Sequence, residues 1–88
     1  MKVKEGFLLR ELAGEWMVVP IGNTVVDMSI MISLSESGAL LWKELETGVE
    51  ELGDLADVLI KEYGIDRETA LKDCEEFIES MKEKGMLE

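Results

Sequence analysis

The chain has 88 residues, a 47% hydrophobic fraction, no His, one Cys, and twenty acids against nine bases, for a formal net charge of −11. That length suits one globular domain with a thin margin of core. The composition argues against disorder, and the missing His removes the commonest general base and metal ligand.

The charge is uneven. Residues 1–34 hold four acids and three bases, whereas the remainder holds sixteen acids and six bases. Such a surface repels nucleic acid and anionic lipid. It reads as solvated helix faces, or as an attraction for a basic partner. A lone Cys allows no internal disulfide, which fits the cytoplasm. The start, MKVKEGFLLREL, lacks the apolar run and cleavage site of a signal peptide. No stretch reaches transmembrane length.

Residues 7–12 and 16–21 read as two strands, joined through Ala13-Gly14-Glu15 with Gly14 taking positive φ. Pro20 lacks a donor and marks a strand end or an edge. Gly22-Asn23 is the next turn, and residues 25–34 form a third strand. Met28, Ile30, Ile32 and Leu34 share the parity of a core face. Ser29, Met31 and Ser33 take the other.

The period changes at Leu34-Ser35. Ser35 is a candidate N-cap, and Ser33 with Glu36 fits a capping box two residues earlier. This first helix points Leu41, Trp42 and Leu45 inward and stops at Gly48. A second helix over 51–63 has Leu52, Leu55, Ala56, Leu59, Ile60 and Tyr63 at helical spacing. Gly53 weakens its first turn and moves the expected start towards Asp54. Asp66 caps a third helix with the stripe Ala70, Leu71, Cys74, Phe77, Ile78 and Met81. Gly85 ends it, and Met86-Leu87 packs back as a tail.

The expected fold is α+β, a winged-helix-like domain with a three-stranded antiparallel sheet followed by a three-helix bundle. DNA reading does not follow from it, because in the third helix seven acids outnumber the lysines and arginine. There is no Cys/His zinc set and no glycine-rich phosphate loop. Adjacent carboxylates such as Glu75-Glu76 point about 100° apart on a helix and do not converge. No catalysis and no cofactor are expected. Residues 28–34, MSIMISL, contain neither charge nor proline. As a sheet edge they are either covered or kept open for a guest strand.

The run Leu34-Ser35-Glu36-Ser37-Gly38-Ala39-Leu40-Leu41-Trp42 resembles the L-N-x-T-G-A-x-x-W segment of PqqD-like proteins, stand-alone recognition elements of ribosomal peptide pathways. The similarity continues through residues 55–66, Ala70, Phe77 and Gly85-Met86-Leu87. Ser35 replaces the usual Asn and keeps the capping role. The resemblance implies that a precursor's leader segment adds as a strand beside the third strand, in a groove walled by the third helix. The bound peptide is then presented to a modifying enzyme, often a radical SAM enzyme.

Carried onto this chain, the implied peptide site is Met28, Ser29, Ile30, Met31, Ile32 and Ser33 with Asp73, Phe77, Ser80 and Lys84. The opposite helix flank, Glu75 and Lys82, is the alternative wall. The acidic helices favour a leader with Lys or Arg, bound more weakly as salt rises. A homodimeric adaptor that uses the same open edge on itself is the competing reading.

Overall fold

Six apolar-rich residues on each side of Ala13-Gly14 pair as an antiparallel hairpin, β1 (Phe7–Leu12) and β2 (Glu15–Pro20). The connection is shorter than expected, because Glu15 belongs to β2 and pairs with Leu12. Ala13 has φ 53° and Gly14 φ 82°. A two-residue turn with both centres at positive φ matches the right-handed twist of its strands. Placing Ala13 there costs about 1 kcal/mol. The computed structural model describes residues 1–21 and 32–88. The expected turn at Gly22-Asn23 and the first part of the third strand lie outside the described residues.

The described part of the third strand is β3 (Ile32–Leu34), antiparallel to β2 with Trp16↔Leu34, Met17↔Ser33 and Val18↔Ile32 in register. The sheet order is β1-β2-β3, so β2 is central and β3 lies at one edge. Val18 is fully buried, and Ile32 and Leu34 are half-buried beside it. Ser33 is exposed. The predicted parity therefore holds over the described part of the strand.

Helix α1 (Glu36–Thr47) starts at Ser35, whose Oγ accepts from Gly38 N at 3.1 Å. The choice between the two predicted starts falls to Ser35, and such a cap contributes about 1 kcal/mol. Gly48 ends the helix at φ 97°. Leu41, Trp42 and Leu45 are buried as expected. The Trp42 Nε1 has no hydrogen-bond partner among the described residues.

Helix α2 (Leu52–Tyr63) begins before Gly53 rather than after it. The Asp54 carboxylate accepts from Glu51 N at 3.4 Å, which supports that first turn. A Cβ at Gly53 would stand 3.1 Å from Arg67 Nη2. The glycine thus leaves room for Arg67 to reach Asp57 at 2.8 Å. Both partners of that pair are exposed, so it contributes little. Tyr63 ends the predicted stripe but is 43% exposed.

Helix α3 (Arg67–Glu83) is capped by Asp66, which accepts from Thr69 Oγ1 at 2.8 Å and Thr69 N at 3.0 Å. Those bonds, the side-chain one first, hold the Asp66 carboxyl below its ordinary value. Ala70, Cys74, Ile78 and Met81 are buried, and Leu71 and Phe77 pack at the core's margin. Met86 and Leu87 turn back as expected.

Their partner went unrecognised in the sequence. Val3 forms an antiparallel bridge with Leu87. Lys4 N donates to Met86 O at 2.9 Å, and Val3 N to Leu45 O at 3.1 Å. Residues 1–4 thus tie the tail to the end of α1.

Cys74 is buried against this core. Burial first, and the Asp73 charge second, push its thiol up to about 11. Thiolate is the reactive form. Native protein should therefore resist a thiol-specific reagent at pH 8 and label at once in denaturant. Labelling of folded protein at the rate of a free thiol would contradict this burial.

Candidate functional site

The hairpin's bonding phase determines what β3 offers at its outer edge. Ile21 N donates to Gly6 O at 2.8 Å, in phase with Glu15, Met17 and Val19. Bonding direction alternates along an antiparallel strand. The odd-numbered residues of β2 therefore bond to β1, while Trp16 and Val18 turn their backbone groups towards β3. Their partners Leu34 and Ile32 bond inward. Ser33, between them, directs its N–H and C=O to the outer edge. No strand lies beyond β3 among the described residues.

The same logic explains Pro20. It is in phase with Trp16 and Val18, so its missing donor falls on the side of the β3 ladder, at the end of β2.

Beside this edge a groove runs between the start of α1 and α3. One cavity of about 280 Å³ is lined by Ser35, Ser37, Gly38, Asp73, Glu76 and Phe77, over Leu41 and Leu59. A second, of about 350 Å³, continues past Ser35, Ser37 and Asp73 to Tyr63 and Ile65. Gly38 lies at the meeting point: a Cβ there would stand 3.3 Å from Ser35 Oγ and in ordinary contact with Phe77 Cε1 at 3.4 Å and Leu34 Cβ at 3.5 Å. Phe77 thus provides an apolar wall near the end of β3, with Asp73 and Glu76 making it acidic.

Among the sequence-derived candidates, Asp73 and Phe77 line the groove. Ser80 and Lys84 do not line these cavities. They follow on the same strip of α3, with Lys84 Nζ donating to Ser80 Oγ at 2.9 Å. Glu75 and Lys82, on the opposite flank, line none of them either. Ile32 and Ser33 form the described part of the edge, and Met28, Ser29, Ile30 and Met31 lie outside the described residues.

Sequence reasoning missed Glu76, Ser37, Tyr63 and Ile65. Glu76 was available from its place three residues after Asp73. The other three enter only because α1, α2 and α3 converge here.

A larger cleft of about 600 Å³ opens at the turn end of the sheet. Glu11, Trp16 and Leu34 form one cross-strand row, facing Ala39, Leu40 and Lys43 of α1 and Glu62 and Tyr63 of α2. Lys43 Nζ sits 4.4 Å from the Trp16 ring centroid, a contact contributing about 0.5–1 kcal/mol when exposed. Desolvation, then the charges of Glu36 and Glu62, raise the Tyr63 phenol above its ordinary value. It stays protonated at neutral pH.

Residues 15–87 match the profile of coenzyme PQQ synthesis protein D (PqqD). The chain belongs to the PqqD family. No curated protein matches it in sequence.

Two solved structures share the fold of this PqqD-family chain. One is TbiB1 in complex with the TbiA(beta) leader peptide, at 23% identity and TM-score 0.75, covering 100% of this chain and 95% of that one. The other is lasso peptide synthetase B1 complexed with the leader peptide, at 22% identity and TM-score 0.72, covering 97% and 93%. The expected α+β arrangement of three antiparallel strands and three helices is borne out. Among the described residues no helix is long and apolar enough to cross a membrane.

Proposed function

We propose that residues 1–88 act as one peptide-recognition domain that captures the leader segment of a ribosomally made precursor peptide. The leader adds as a strand along the outer edge of β3. Backbone bonds to Ser33 supply affinity, and the groove of Phe77, Asp73 and Glu76 selects side chains. On this reading Met28 to Ile32 continue the edge, and Ser80 and Lys84 continue the wall. The observation that carries the proposal is the outward backbone of Ser33, without a partner strand among the described residues, beside the groove of Phe77, Asp73 and Glu76. The two structures of similar fold, both complexes with leader peptides, support it.

The bound peptide is presented in the cytoplasm to a modifying enzyme, a radical SAM enzyme in this reading. The chain itself supplies no catalysis. Its acidic groove favours a leader with Lys or Arg.

The test is an NMR titration of ¹⁵N-labelled protein with leader peptides encoded by neighbouring reading frames. Saturable amide shifts centred on Ser33 and on Asp73 to Phe77 are expected, with affinity falling as salt rises. Shifts centred on Glu75 and Lys82 would move the groove to the other flank of α3. Absence of shifts with every candidate, together with a stable dimer in sedimentation, would replace this reading with a self-pairing adaptor.

A further inference from the structure

The cleft at the turn end of the sheet is separate from the groove beside Phe77. It shares Ser35 with the cavity beside Phe77, and Ser35, Glu36 and Tyr63 with that cavity's continuation; Glu11, Trp16, Leu40, Lys43 and Glu62 line the cleft alone among these three. The cleft's apolar and aromatic lining is Trp16, Leu34, Leu40 and Tyr63, set in a largely polar wall. Glu11, Glu15, Glu36 and Glu62 surround them, and Lys43 is the single cation in the lining.

The protein already seats a cation here. The Lys43 ammonium lies over the Trp16 ring, which is the geometry an incoming cationic side chain would adopt. An exposed lysine on a flexible stem is readily displaced. A guanidinium suits the site better, because its plane stacks on an indole while its edge donates to carboxylates.

We infer that this cleft is a second docking surface, which takes an arginine-bearing segment of the enzyme that modifies the bound peptide. The assignment of the occupant rests on the peptide-capture reading above and on two observations. One is charge: four carboxylates against one lysine favour a basic segment. The other is continuity: the cleft reaches Ser33 and Ser35, so an enzyme seated there lies beside the edge where the peptide is held. Lys43 acts as an internal competitor that keeps the Trp16 face covered until the enzyme arrives.

The probe is the blocked tripeptide Ac-Gly-Arg-Gly-NH2, titrated into ¹⁵N-labelled protein, with the citrulline tripeptide as the neutral control of equal shape. Saturable shifts at the Trp16 indole and the Leu40 and Lys43 amides are expected, at least about fivefold weaker for citrulline. Lys43→Gln should tighten the arginine probe about two- to fivefold by uncovering the ring. The pair Glu15→Gln and Glu62→Gln should weaken it while leaving leader affinity unchanged. With leader bound, the probe should still enter.

Failure to saturate at tens of millimolar, or equal binding of citrulline, overturns the cation site. Displacement of the probe by the leader assigns the cleft to the peptide itself and overturns the enzyme as occupant. Leader binding is read separately at the Ser33 amide, so failure of peptide capture is distinguishable from failure of this site.

Discussion

Replacing Ser33 by proline is expected to abolish leader capture while leaving the protein folded. Ser33 directs its N–H away from β2, so the substitution removes no bond of the β2–β3 ladder. Proline is tolerated on an edge strand in that phase. The guest strand loses more. The donor it would bond is gone, at about 1 kcal/mol, and the ring stands where the guest backbone must approach. Leader affinity should fall at least about 30-fold, equivalent to about 2 kcal/mol. Ser33→Thr, which keeps the donor and favours extended backbone, should bind normally. Calorimetric titration measures both variants, and the urea midpoint reports whether the fold survives. Near-native affinity for Ser33→Pro would exclude strand addition at this edge.

Trp42→Ala should produce the largest stability loss of any single truncation in the protein. The Trp42 side chain is fully buried among Leu41, Leu45, Leu55 and the α3 stripe, in the same cluster as Val18 and Met86. Truncating a buried Trp costs about 3–5 kcal/mol. A chain of 88 residues has a total stability on the order of 4–13 kcal/mol. The variant should therefore be largely unfolded, or lose cooperativity, at 37 °C. Trp42→Phe retains much of the ring and should keep a cooperative transition at a lower midpoint. A Trp42→Ala midpoint close to wild type would mean that the three helices do not share one core.

Much of the scaffold was legible because it is local. Ser35 and Asp66 announce helix starts by their side-chain oxygens, and each accepts the bond its type predicts. The apolar spacing of α1 and α3 named Trp42, Leu45, Cys74 and Met81 as core, and all are buried. Gly53 misled, since its cost to the first turn of α2 is offset by the Asp54 carboxylate on Glu51 N. Tyr63 misled too, because helical spacing gives direction but not whether a neighbour covers that end of the face. The bridge from Val3 to Leu87 spans the whole chain and leaves no local pattern.

The candidate site shows the same division. Periodicity placed Asp73, Phe77, Ser80 and Lys84 on one strip of α3, and Glu75 and Lys82 on another. It gave no ground for choosing the strip nearer β3, because that depends on how α3 rotates against α1. Phe77 comes to rest beside Gly38 of α1, and only the packed helices reveal it.

By itself the amino-acid sequence determined the number and order of the elements, their caps and most of their buried faces. These follow from repeat period and side-chain chemistry within a few residues. The tertiary structure decided which backbone groups of β3 turn away from β2. A three-residue connection at Ala13-Gly14-Glu15 would have shifted the β1–β2 pairing by one residue. Ala13 instead accepts a strained positive φ, the hairpin closes in two residues, and the ladder phase that results directs Ser33 outward. That choice balances local strain against the burial of Val18 and its neighbours, and only the assembled sheet expresses the balance.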